Sequence, residues 1–152
     1  MPDAALIQIT SAIKAQLEAA EDANIFADRD DAEPIQESER PAKVIRCTDV
    51  VLDEYMEQGL SSQLHEATFD IDHYADADSS DNLNTQLSNM IAATVPLLAE
   101  DNWSLGGKVF EFVFLSVTAN ADDVPDAGVA ILTFKVKFLT PLGDWTTIIP
   151  FA

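Results

Sequence analysis

Between Val129 and Leu139 an apolar residue recurs at every second place: Ala130, Leu132, Phe134, Val136 and Phe138. Thr133, Lys135 and Lys137 occupy the alternate places. A period of two sends these sets to opposite faces of a strand, so the chain must build a sheet with a dry face and a wet one. Upstream, Lys108 to Ala119 carries apolar residues on both parities. Val109, Val113, Leu115 and Val117, with Glu111 among them, oppose Phe110, Phe112 and Phe114. Such a load predicts a central strand covered on both sides. The intervening loop holds Asp122, Asp123, Pro125, Asp126 and Gly128, all turn formers, and predicts an antiparallel hairpin.

Two further strands and two helices precede this hairpin. Leu6, Ile9, Ile13, Leu17 and Ala20 form one helical stripe, with Asp3 as the expected N-cap. Ala42 to Leu52 is rich in β-branched residues. In Glu66 to Tyr74, Ala67, Phe69, Ile71 and His73 alternate with Glu66, Thr68, Asp70, Asp72 and Tyr74. A second helix is expected from about Asp81 to Leu98, with Leu83, Leu87, Met90, Ile91, Val95 and Leu98 as its buried stripe. Pro96 predicts a kink or a stop near its end. The order α-β-β-α-β-β predicts an α+β fold: an antiparallel, or mixed, sheet with both amphipathic helices on one face. At 152 residues the chain suits a single domain spanning 1–152, long enough to bury about 70% of its unfolded surface. Two segments lack periodicity, an acidic loop at 21–41 and a C-terminal tail at 140–152.

Charge narrows the function. Eight Lys and Arg face 27 Asp and Glu, a formal net charge of −19. No Lys or Arg occurs in the 61 residues between Arg46 and Lys108, where twelve carboxylates fall. Binding to nucleic acid by neutralising phosphates needs clustered cations, so specific DNA or RNA binding is excluded, as is docking on an anionic membrane. No apolar run approaches the roughly 20 residues of a membrane span. The lone Cys47 permits no intrachain disulfide and reads as a small buried side chain. With no secretion-signal pattern at Met1-Pro2-Asp3-Ala4, a reducing cytoplasm, or a particle assembled there, is the expected location.

Catalytic chemistry finds little to work with. His65 and His73 read as structural, at a strand entrance and on a dry strand face. No Gly-x-Ser-x-Gly elbow or His-Glu-x-x-His pair occurs, and Gly106-Gly107 lacks a phosphate-loop context. The acids Asp70, Asp72, Asp76, Asp78 and Asp81 fail the calcium-loop pattern, because the sixth place counted from Asp76 is Asp81 rather than Gly. The expectation is a protein without catalysis, cofactor or metal. Trp103, Trp145 and Phe151 lie in irregular segments and are candidate interface aromatics. On the wet face, Lys135 and Lys137 are candidates to meet carboxylates of an adjacent strand or subunit, with Asp70 and Asp72 as partners.

Several of these features occur in an order that resembles a known family. An amphipathic N-terminal helix, an acidic loop and a strand pair lead to a helix ending in Leu97-Leu98-Ala99-Glu100-Asp101. Leu105-Gly106-Gly107-Lys108-Val109 follows, then a long hairpin ending in Thr133-Phe134-Lys135-Val136-Lys137-Phe138. This resembles the tail-terminator (tail completion) proteins of long-tailed bacteriophages and gene transfer agents. The resemblance implies a ring, commonly hexameric, that caps the tail tube and joins it to head-completion or neck proteins. Its implied place is the neck end of the virion tail, after assembly in the host cytoplasm. DNA passes through such a ring, and an acidic lumen would repel phosphates rather than hold them. The alternatives are an acidic DNA-mimicking inhibitor and another tail or neck component such as a tail-tube subunit.

Overall fold

The computed structural model describes residues 3–20, 23–27, 35–52, 62–75, 83–99, 102–120 and 129–150. Helix α1 covers Ala5–Glu18 and α2 covers Leu83–Leu97. The strands are β1 (Asn24–Ala27), β2 (Ala42–Leu52), β3 (Ser62–Tyr74), β4 (Glu111–Asn120) and β5 (Val129–Pro141). They form one sheet in the order β1-β2-β3-β5-β4. All pairings are antiparallel except β1 with β2, so the sheet is mixed and the fold is α+β.

The longest ladder joins β3 to β5, from Ser62 opposite Pro141 to Tyr74 opposite Val129. It sets Phe69 against Phe134, ring centroids 5.7 Å apart, and Phe112 of β4 stacks on Phe134 at 4.6 Å. Alternation along β5 is complete, each inward residue from Ala130 to Thr140 being buried. Both helices lie over this face. Ala5, Ile9, Ile13 and Leu17 of α1 share one core with Ile45, Phe69, Ile71, Leu132, Phe134, Val136 and Phe138, and Ile91 and Val95 of α2 pack against it. No helix among the described residues is long and apolar enough to cross a membrane.

The connection from α2 to β4 is built by conformation. Leu105, Gly106 and Gly107 all take positive φ, at 53°, 72° and 85°. Leu105 is in a region costly for a branched side chain, and its burial in the core offsets that cost. Val109, also buried, fixes the other end of the turn.

Several sequence expectations change here. Asp3 does not cap α1: Ala4 is the N-cap and makes no side-chain bond. The first free helical N–H, that of Ala5, instead reaches the Trp145 carbonyl at 2.6 Å, because the C-terminal segment crosses the helix start. Within the acidic loop, Asn24–Ala27 forms β1, parallel to β2. Ile35 is buried with Ala42 and Val44, flanked by Phe26 and Tyr74, on the face away from the helices. Pro96 falls in the last turn of α2, where the lost bond costs least, and the helix continues to Leu97. The expected caps Ser80 and Asp81 lie outside the described residues. The largest correction concerns β4, which is an edge strand rather than a central one. A bulge between Phe114 and Ser116 also breaks its alternation, placing Val117 opposite Leu132 on the helix-side face. Cys47 is exposed rather than buried; it stands opposite Phe69, at the start of the irregularity in β2 between Cys47 and Asp49.

Phe134→Ala should remove the ring on which Phe69, Phe112 and Phe114 converge and cost about 3–5 kcal/mol in urea unfolding. Gly106→Ala has room for its Cβ, the nearest atom being Lys108 Nζ at 3.7 Å, so its expected cost of about 1 kcal/mol comes from φ alone.

Candidate assembly surface

The face of the sheet away from the helices carries the predicted wet residues. Register places Arg46 and Asp49 of β2, Glu66, Asp70 and Asp72 of β3, Lys135 and Lys137 of β5, and Glu111 of β4 on it. Three cations thus face five carboxylates, a far more even balance than the eight against 27 of the whole chain. Arg46 binds Asp72 at 2.9 Å, and the Thr133 hydroxyl donates to Asp70 at 2.7 Å. Lys137 sits between two strands, 3.2 Å from Glu111 and 3.9 Å from Glu66, while Lys135 lies 3.7 Å from Glu66.

Lys135 and Lys137 therefore meet carboxylates of adjacent strands, as alternation implied, but these are Glu66 and Glu111. Asp70 and Asp72 engage Thr133 and Arg46 instead, because antiparallel register sets Glu66 opposite Lys137 and Asp70 opposite Thr133. The partly exposed lysine pairs contribute only ~0–1 kcal/mol each, so they fix register more than they add stability, whereas Arg46 meets a buried carboxylate in Asp72.

The aromatic candidates separate. Phe151 lies outside the described residues. Trp103 is half-buried in the turn between α2 and β4. Trp145 docks the tail: its ring meets buried His65 edge-on at 4.5 Å, and His65 stacks on Phe138 at 4.8 Å. Gln8 Nε2 donates to the Thr146 carbonyl at 2.6 Å, and Ile149 bridges to Leu139. Asp144 accepts from the Thr146 hydroxyl at 2.6 Å and from its N–H at 2.9 Å, which holds its carboxyl below the usual range. Sequence reading missed this latch, because nothing local to 140–150 shows that it closes on α1 and β3.

Both histidines are buried. His73 Nδ1 donates to the carbonyls of Ile71 and Ala130, at 3.0 and 3.2 Å, and its Nε2 lies 2.8 Å from the buried Thr94 hydroxyl. His65 Nε2 pairs with Thr140 Oγ1 at 2.8 Å, while its buried Nδ1 makes no hydrogen bond. Burial holds the His65 imidazole below its ordinary pKa. A buried Lys43, opposite His73 on the helix side, was not singled out from sequence, where lysine reads as a surface residue. Among the described residues no three His, Cys, Asp or Glu side chains gather to hold a metal. Asp76, Asp78 and Asp81 lie outside those residues.

No family model matches this chain, and no curated protein matches it. Among solved structures, a chain from the virion of a native gene transfer agent particle is similar, with a TM-score of 0.51 and 14% identity. The match covers 84% of this chain and 92% of that one. At that identity the likeness is one of fold.

The His65 environment predicts a pH dependence. The unfolded chain binds this proton near pH 6.5 and the folded chain binds it more weakly, so His65 costs stability as pH falls through about 6.5. Thermal unfolding of the native chain and of His65→Phe at pH 7.5 and 5.5 checks this. The native chain should lose more on acidification than the variant, and equal losses would contradict the assignment.

Proposed function

We propose that this chain is a structural virion protein, a tail terminator whose copies close into a hexameric ring between the tail tube and the head-completion or neck proteins. The observation that carries the reading is the fold shared over most of both chains with a component of a gene transfer agent virion. Two features support it. The Leu105-Gly106-Gly107 turn that motivated the family resemblance is a left-handed link leading from α2 into the hairpin. Both histidines are buried against threonine hydroxyls, Thr140 for His65 and Thr94 for His73, which suits a role needing no catalytic group, cofactor or metal.

The charge gives the ring a physical use. A cationic lumen would hold passing DNA with salt-dependent affinity, whereas carboxylates in excess leave the duplex free to slide. The partners in this reading are further copies of the chain, the tail-tube protein and the neck protein, and the site is the neck end of the tail. DNA passes without specific binding.

Electron micrographs of the purified protein test the reading. Uniform rings with a central hole are expected. Long tubes would point to a tail-tube subunit instead. A monomer or dimer that captures a basic host nuclease or repressor would point to a DNA mimic.

A further inference from the structure

The free edge of β4 stands apart in this chain. From Phe112 to Asn120 the strand has no charged residue, and the one charge of β4, Glu111, is already paired with Lys137. Among the described residues no strand lies beyond it. Phe114, Leu115 and Val117 are 37%, 50% and 53% exposed, three of the large apolar side chains left open to solvent. An edge strand offers unpaired N–H and C=O groups, and proteins ordinarily blunt such edges with lysine, proline, inward charge or a bulge. β4 has no lysine, proline or charge on its free run. Its one irregularity, the bulge at Leu115, leaves an uncharged stretch from Ser116 to Asn120, the length of a typical strand.

We infer that this edge is the surface through which one copy of the chain docks on the next, head to tail, by strand pairing along 116–120 with Phe114, Leu115 and Val117 packed into the neighbour. The inference rests on the ring reading and assigns the contact that closes the ring. Charge selects the occupant. Two chains each carrying −19 repel, and they approach at least cost where the surface presents no carboxylate. A basic partner would gain nothing there and would be drawn to the acidic segments instead. The edge is also continuous with the nearly balanced open face, since Glu111, Val113, Ser116 and Thr118 belong to both. Among the described residues the interface can therefore extend beyond the strand onto a face where three cations offset five carboxylates. A ring requires two different patches on each copy, so the edge meets another surface of its neighbour rather than its own twin.

The test compares the native chain with Leu115→Lys/Val117→Lys and with a control, Ile7→Lys/Leu142→Lys. The control residues are 44% and 63% exposed, on α1 and just past the end of β5. Both variants reduce the net negative charge equally, so general repulsion falls in each. Light scattering and native mass spectrometry across a concentration series, with far-UV circular dichroism to verify folding, give the readout. Native chain and control should form the same ring, while the β4 variant should show at least a tenfold smaller ring population. Rings of unchanged size in the β4 variant would overturn the edge contact and leave the ring reading standing. A native chain that stays monomeric throughout would overturn both. Native dimers lost only in the β4 variant would overturn the head-to-tail arrangement. If the double variant loses its secondary structure, Leu115→Lys alone, at a half-exposed position, replaces it.

Discussion

The ladder between β3 and β5 decides where everything else sits. Its register aligns Phe69 with Phe134 and Ile71 with Leu132 on one side, and Glu66 with Lys137 and Asp70 with Thr133 on the other. A slip of one residue would move the whole apolar set into water. Because the register holds, α1 and α2 have a continuous apolar floor to cover, and the opposite face carries ion pairs and polar contacts beside the small cluster around Ile35 and Val44. The C-terminal latch depends on the same pairing, since Phe138 and Thr140 of β5 are what His65 of β3 contacts before it meets Trp145.

Much of this was written in local periodicity. Alternation in Glu66–Tyr74 and Val129–Leu139 identified the two strands of that ladder and their inward faces, and the stripe from Leu6 to Leu17 identified α1. What escaped was decided by distant partners. Asn24–Ala27 is too short to announce itself amid eight carboxylates, and it becomes a strand because Ala42–Ile45 pairs with it. Phe112 and Val113 give β4 an apolar load on both parities, which reads as central. Burial of that load is supplied by β5 on one side only, so the strand sits at the edge with its outer apolar residues open. Alternation sets the lysines on the open face, but register rather than composition chooses Glu66 and Glu111 as their neighbours. Lys43 was invisible for the opposite reason, since no local pattern marks a lysine for burial.

Charge is unevenly spread over this architecture. The open sheet face gathers three of the eight cations, and the free edge of β4 carries none of either sign beyond Glu111. Copies that each carry −19 repel one another, so places where that repulsion is relieved are the natural candidates for contact. The same excess of carboxylates suits a conduit that must not retain DNA. That combination, a sheet with a neutral edge in a strongly acidic chain, suits the structural role proposed here.

Copy number in purified particles tests this account most directly. Quantitative mass spectrometry of virions or transfer particles that contain the chain, referenced to a major capsid protein of known copy number, gives the number per particle. The account predicts one closed ring, about six copies per tail. A count many times larger, rising with tail length, or the absence of the chain from particles, would contradict it.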